Sequence, residues 1–296
     1  MRQNPIHIRG LGYMAIAAFL FSVMGVGVYA ASLTIPPVAA PMVSFIRVAV
    51  NLFILVMPAL WLKQGWALFG DRRASLWLRG LFGAVSLTLS FAAIQRIGPG
   101  ESAFLTASSG VFVALLGPAI LSQRNSLSVW LAIFGSLAGL LLLFQPRLDP
   151  SDFLGRFMAL SSGFLAALAY LMVARAGRSN PPQVVVFYFC LVAVAIHLVY
   201  FGFSGVLWPS SRNAWGWVML AGLSGSGAQL YMTRAYQMAP AALVGAVGYL
   251  APVMSVIWGM LLFAKIPDQK ALAGCMLVLL CGVLLPFLAA RSAGGR

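Results

Sequence analysis

Long apolar runs follow one another along the chain, and short polar groups such as Asp71-Arg72-Arg73 separate them. No stretch alternates apolar and polar residues in the way that a half-buried strand does. Each run is long enough for the roughly 20 residues of helix that a bilayer requires. The pattern predicts ten helices, at approximately residues 11–30, 42–62, 77–95, 101–121, 127–144, 154–174, 183–203, 214–235, 241–263 and 270–289.

The composition supports an all-α integral membrane protein. Of the 296 residues, 61% are hydrophobic and only 8% are charged, and the mean hydropathy is +0.95. A soluble domain carries about 25% charged residues and could not cover its surface with so few. Ten spans leave room for short loops only, so we expect no catalytic domain outside the membrane.

The basic residues indicate an orientation rather than a nucleic-acid partner. The net charge is +14, but the 19 Lys and Arg residues are scattered singly between apolar runs. With the N-terminus inside, 12 of them fall on the cytoplasmic side and 6 on the outer side, and Arg47 lies within a span. Because cytoplasmic loops carry the excess of basic residues, we predict that both termini are cytoplasmic. The membrane would be a bacterial-type inner membrane.

The chain contains an internal repeat. Pro99 and Pro240 each precede a long apolar helix, and each of these helices is followed by a basic residue, Arg124 or Lys265. Each half holds five predicted helices, and five is an odd number, so the second half would be inverted in the bilayer. The predicted units are residues 9–145 and 154–290. Inverted repeats are typical of transporters, whose substrate cavity lies between the repeats.

The second unit also carries a family resemblance. The stretches at residues 235–244, AYQMAPAALV, and 248–255, GYLAPVMS, resemble the ten-helix, EamA-type branch of the drug/metabolite transporter superfamily. Arg47 stands where this family often has an arginine on its second helix. The chain is most similar to the bacterial exporters of amino acids, including aromatic ones. The resemblance implies export of an amino acid or related metabolite by alternating access.

The chain departs from the family at two matched positions. The family often ends the fourth helix of each repeat with a glutamate before a basic residue. Here those places read Gln123-Arg124 and Ala264-Lys265. A mechanism that depends on the two glutamates is therefore not expected in this chain.

Small polar residues recur at helical spacing on several predicted helices. In a span, such a stripe faces either another helix or a wet cavity, and both alternatives remain open for each residue. Gln229 stands out because its amide needs partners in mid-span. Glycines and Pro252 would loosen the fourth and ninth helices. The predicted substrate-binding residues are Ser22, Ser90, Thr106, Ser109, Tyr170, Ser226, Gln229 and Tyr249.

Four residues are candidates for coupling or gating: Glu101, Arg47, His197 and Pro252. Arg47 either snorkels to the outer interface or attracts a carboxylate at the outer mouth. Glu101 either stabilises a helix N-terminus or carries a coupling proton. His197 is either a buried structural histidine or part of a proton relay. We therefore predict that transport is passive, or that it depends on Glu101 or His197.

The sequence predicts a substrate without strong charge. Only Arg47 and Arg234 are expected to approach the cavity, so a zwitterionic or neutral solute fits better than a phosphorylated one. The alternative is a flippase of the same fold that moves a drug, an amphiphile or a lipid carrier.

No H-E-x-x-H or G-x-S-x-G motif is present, so an enzyme is not expected. The three cysteines lack CxxC spacing, and no metal or cofactor is predicted. A glycine pair, Gly135 and Gly139, would allow a dimer, although a monomer is favoured.

Overall fold

The structure, a computed structural model, describes residues 5–97, 99–123, 125–146, 152–264 and 266–284. Within these ranges the chain is helical and contains no strand. A short 3-10 helix, Gly65–Phe69, precedes α3, and a π-helical segment, Leu279–Leu284, continues α12. The α-helices are α1 (Pro5–Ser32), α2 (Ala40–Trp61), α3 (Ala74–Ile97), α4 (Pro99–Thr106), α5 (Ser109–Leu121), α6 (Leu127–Phe144), α7 (Phe153–Ala176), α8 (Pro182–Ser204), α9 (Arg212–Met238), α10 (Ala241–Gly248), α11 (Leu250–Phe263) and α12 (Gln269–Val278).

Two of the predicted helices are broken near their middle. The predicted fourth helix becomes α4 and α5, which are separated by Ala107 and Ser108. The predicted ninth helix becomes α10 and α11, which meet at Tyr249. Pro252 follows this second break and has no N–H to donate to the carbonyl four residues earlier. The paired charges at 124 and 265 and the end of the predicted tenth helix lie outside the described residues.

The chain is a multi-pass membrane protein. Seven helical segments of the described ranges are long and apolar enough to cross a bilayer: α1, α2, α4 with α5, α6, α7, α8, and α10 with α11. Large apolar side chains such as Phe53, Phe134 and Leu261 are more than half exposed and cover the outside of the bundle with a surface suited to lipid. Helices α3 and α9 are less apolar because they carry the polar stripes of the interior.

Glycines bring the long helices into close contact. Helix α1 packs along α9, α3 packs along α7, and α6 packs along α12. A methyl group on Gly139 would lie only 2.8 Å from the backbone oxygen of Gly274, and one on Gly135 would collide with Cys281. The glycine pair of α6 is therefore used for packing within this chain, against α12 and its π-helical continuation.

Side chains and backbone groups tie the helices together at both ends of the bundle. We call the end where α1 begins the proximal end and the other the distal end. At the proximal end, Gln237 Nε2 donates to the backbone oxygen of Asn180 at 3.2 Å, and the backbone N–H of Ala241 donates to Gln123 Oε1 at 3.1 Å. At the distal end, Arg96 Nε lies 3.1 Å from Asp152 Oδ2.

Candidate functional site

A central cavity of about 480 Å³ lies between α1, α3, α7 and α9 and is bordered by both helix breaks. This volume is in the range of pockets that hold small organic ligands. The wall combines apolar, small and polar side chains with two basic ones. Of the predicted site residues, Arg47, Ser90, Thr106, Ser109, Tyr170, Gln229, Tyr249 and Pro252 line it.

Arg79 lines this cavity, although it is one of the 12 basic residues counted on the cytoplasmic side. The side chain is only 3% exposed, and its Cζ lies 4.5 Å from the centroid of the Phe189 ring. Its Nε has no hydrogen-bond partner among the described residues. A methyl group on Gly83 would collide with its Nη1, so the guanidinium runs along α3 past Gly83, away from the proximal end. A buried cation in a span normally marks a functional site.

Arg47 reaches the same cavity from the other end. It is the eighth residue of α2, which begins at the distal end. Its half-buried side chain crosses to α9, where a methyl group on Gly225 would lie 3.1 Å from its Nε. Gly225 is 13 residues beyond the start of α9, about 20 Å from that end of the helix. Both arginines therefore point toward the middle of the bundle.

No acidic side chain lines the cavity among the described residues. The described acids lie at the ends of the bundle: Asp71 at the proximal end, and Glu101, Asp152 and Asp268 at the distal end. The cavity therefore carries two arginines without a compensating acid on the described wall, whereas a site for a neutral or zwitterionic solute was expected. The expectation for Arg234 is wrong, because its side chain is exposed and does not line the cavity.

A spacing rule in the sequence could have found Arg79. Positions 79, 83, 86 and 90 follow each other at intervals of four, three and four, the same spacing as the polar stripe on the predicted eighth helix. Residues at this spacing share one face of a helix. The arginine therefore stands on the face that Ser90 presents to the cavity, although it is near the end of its span.

Neutral donors complete the polar part of the wall. Gln229 is 3% exposed, and its Nε2 has no partner among the described residues. The hydroxyl of Thr106 is likewise buried and without a partner in that part of the chain. Buried polar groups in proteins are normally hydrogen-bonded, so free ones that face a cavity are suited to a ligand.

The two helix breaks are joined directly. The hydroxyl of Tyr249, at the junction of α10 and α11, donates to the backbone oxygen of Ala107 at 2.7 Å. Ala107 lies in the break between α4 and α5. Gly110 leaves the space for this contact, since a methyl group there would collide with the hydroxyl oxygen. The Ala107 oxygen also accepts from the backbone N–H of Gly110 at 3.2 Å, so the tyrosine adds a second donor to this carbonyl.

Two predicted substrate-binding residues do not reach the cavity. Ser226 faces its own helix backbone, and its hydroxyl donates to the Gly222 oxygen at 2.7 Å. Ser22 donates to the Phe19 oxygen at 2.6 Å and accepts from Trp258 Nε1 at 2.9 Å. A serine hydroxyl that bonds back to its own helix is the ordinary alternative to ligand binding.

Two predicted coupling residues also lie away from it. Glu101 Oε1 pairs with Arg156 Nε at 2.6 Å, which joins α4 to α7 at the distal end. His197 is 5% exposed, and its Nδ1 lies 2.7 Å from the oxygen of Ala193 on its own helix. Both residues have local structural partners, and neither appears on the cavity wall.

Carboxylates at the helix ends are stabilised in their charged form. The backbone N–H of Gly155 and the Arg96 guanidinium lower the pKa of Asp152, which caps α7. Gln145 and the backbone N–H of Ala271 lower the pKa of Asp268, which caps α12. These charges strengthen the connections between helices without contributing to the cavity.

An apolar, multi-pass helical bundle around a buried polar cavity is the architecture of a membrane transporter. The chain belongs to the EamA-like transporter family, whose sequence profile matches residues 8–145 and 153–287.

Named relatives are transporters as well. The chain is 28% identical over 278 residues to the Pseudopaline exporter CntI of Pseudomonas aeruginosa, covering 93% of this chain and 95% of that protein. It is 25% identical over 293 residues to mouse Solute carrier family 35 member G1, covering 94% and 78%. A solved crystal structure with 18% identity superposes with a TM-score of 0.81 over 98% of this chain and 99% of the other, which establishes a shared fold.

Proposed function

We propose that this chain exports an amino acid or a related small metabolite by alternating access. The single observation that supports this most strongly is the central cavity, which is lined by buried polar groups that have no partner among the described residues. A solute that binds there would lie between the helices of the bundle. The Pseudopaline exporter relative favours export as the direction of transport.

The proposed architecture has ten spans in two inverted units, residues 9–145 and 154–290. Helix contacts support it, because they occur in matched pairs: α1 packs on α9 as α7 packs on α3, and α1 packs on α11 as α7 packs on α5. The helix breaks match too, since Ser108 and Tyr249 are separated by 141 positions, as are Pro99 and Pro240. Each unit would supply one broken helix to the cavity.

The proposed orientation places the proximal end in the cytoplasm of a bacterial-type inner membrane. Arg9, Arg72, Arg73, Arg175 and Arg178 belong to this end, and the positive-inside rule favours it as the cytoplasmic one. The cavity wall is deeply buried toward the proximal end, where Arg79 and Tyr236 are 3% exposed. Toward the distal end it includes the exposed Ala103. We propose that the structure represents the outward-open form.

The test is solute efflux from proteoliposomes. Vesicles of phosphatidylethanolamine and phosphatidylglycerol, with purified protein, are loaded with a radiolabelled panel of amino acids, dipeptides, nucleosides and amphiphilic drugs. We expect saturable efflux of at least one amino acid or peptide, reduced by Gln229→Ala and unchanged by Gln183→Ala, an exposed glutamine on α8. Selective movement of amphiphiles would favour the flippase alternative. Efflux no faster than in protein-free vesicles for the whole panel would reject the proposal.

A further inference from the structure

Two guanidinium groups share the cavity, that of the buried Arg79 and that of the half-buried Arg47, and the described wall offers no carboxylate to either of them. Arg79 is covered on one side by the Phe189 ring, and its Nε is unpartnered among the described residues. Arg47 lines the same cavity, and two like charges repel each other across a low-dielectric interior. Two like charges brought together in a low-dielectric interior are costly unless anions compensate them.

Two glycines on different helices leave the space that the two guanidinium groups occupy. Gly83 on α3 leaves space for the Arg79 guanidinium, because a methyl group there would collide with it. Gly225 on α9 leaves space for Arg47 in the same way. The arginines come from different helices and enter from opposite ends of the bundle. The same cavity wall also carries the neutral donors Gln229 and Thr106.

The chemistry of each arginine favours a carboxylate. A guanidinium offers two parallel N–H groups that match the two oxygens of one carboxylate. A phosphate group has three free oxygens and calls for several converging cations, whereas each end of this cavity supplies one. A zwitterion with a single carboxylate would occupy one arginine and leave the other without an anion.

We propose that the transported solute carries two carboxylates, one for Arg47 and one for Arg79, with the part between them held by Gln229 and Thr106. This inference rests on the proposed function and narrows it: the substrate is an acidic amino acid, an acidic peptide or a similar dicarboxylate, and not a neutral aromatic amino acid. The cavity volume of about 480 Å³ leaves space for a solute larger than a single amino acid.

Matched acid and amide probes test this in binding measurements on purified protein in nanodiscs. The probe pairs are L-glutamate with L-glutamine, and L-aspartyl-L-glutamate with L-asparaginyl-L-glutamine. We expect at least one acid to bind about tenfold more tightly than its amide. Arg47→Gln and Arg79→Gln should each weaken that binding by roughly tenfold to a hundredfold, as for a lost charge-assisted hydrogen bond. Arg234→Gln, which removes an exposed arginine of α9, is the matched control and should bind as the parent does.

Folding is checked by the elution profile and thermal unfolding, and Arg79→Lys provides a variant that keeps the charge. We expect it to recover part of the affinity lost in Arg79→Gln. Equal or tighter binding of the amides, preference for sn-glycerol 3-phosphate, dependence on only one arginine, or no binding of any acid by folded protein would overturn the inference. Parallel efflux measurements separate the two proposals: transport of amides but not acids overturns only the dicarboxylate assignment, whereas no transport of any solute overturns both.

Discussion

The ring of Tyr170 on α7 stacks on the ring of Tyr236 on α9, with 5.2 Å between the centroids and 15° between the planes. Helix α7 packs along α3, and α9 packs along α1, so the stack joins two different helix pairs. Both rings line the cavity, and Gln237, the next residue of α9, belongs to the proximal contacts. The stack therefore lies on the proximal side of the cavity.

Removal of this stack should loosen the packing on the proximal side of the cavity. We expect Tyr236→Ala to lower the thermal stability and to reduce transport, and Tyr236→Phe, which keeps the ring, to retain most of both. A double-mutant cycle of Tyr170→Ala and Tyr236→Ala should give a coupling free energy of about 0.5–1.5 kcal/mol, as for other aromatic pairs. Equal behaviour of the Phe and Ala variants would contradict a role for the ring stack.

A second prediction concerns the glycine that accommodates Arg47. Gly225→Ala places a methyl group 3.1 Å from Arg47 Nε and 3.0 Å from Met24 Sδ, so the arginine must shift. We expect weaker binding of acidic probes with little loss of stability, because alanine favours a helix over glycine by about 1 kcal/mol. Gly216→Ala on the same helix meets no atom within 4 Å and is the matched control. Equal probe affinity in both variants would show that the position of Arg47 is unimportant.

Helix positions followed from the sequence because apolar run length is a strong signal. The polar stripes also identified part of the cavity wall. Ser90 on α3 and Gln229 on α9 each share a helix face with glycines, and both line the cavity. Periodicity identified the face of each helix, but it did not show what each face contacts. Ser226 lies on the same stripe as Gln229 and yet bonds to its own helix at Gly222.

The charge of the cavity could not be predicted from the number of Lys and Arg residues on each side of the membrane, which indicates only the orientation. Arg79 stands near the proximal end of α3, where an arginine usually reaches the lipid headgroups. Its side chain instead runs inward along Gly83 and under Phe189. That direction depends on packing between α3 and α8, which are distant in sequence. The proposed substrate class changed with this one side chain.

The ion pair at the start of α7 predicts a pH-dependent stability. Hydrogen bonds from Gly155 and Arg96 lower the pKa of Asp152 below its ordinary value of 3.8. The folded state therefore releases this proton more readily than the unfolded state, and the resulting stability is present above the ordinary pKa and lost as pH falls through the folded value. Asp152→Asn keeps a capping side chain but loses the charge.

We expect the thermal midpoint of Asp152→Asn in detergent to lie below that of the parent at pH 7, and the difference to shrink below about pH 4. The measurement is a pair of unfolding curves at several pH values. A difference that stays constant with pH would mean that the lost charge is not its source.

The last prediction concerns the energy source for transport. A dicarboxylate amino acid such as L-glutamate carries a net negative charge, and an inside-negative membrane potential drives such a solute outward by about 2.3 kcal/mol per charge per 100 mV. This force needs no proton relay, in agreement with the described cavity wall, which carries two arginines and neither a carboxylate nor a histidine.

Potassium-loaded proteoliposomes with valinomycin should therefore lose L-glutamate faster than vesicles without a potential. The equilibrium distribution should shift by roughly fiftyfold per 100 mV. L-glutamine, which has no net charge, is the matched control and should not respond. Efflux that requires a pH gradient, or glutamate efflux that ignores the potential, would contradict this mechanism.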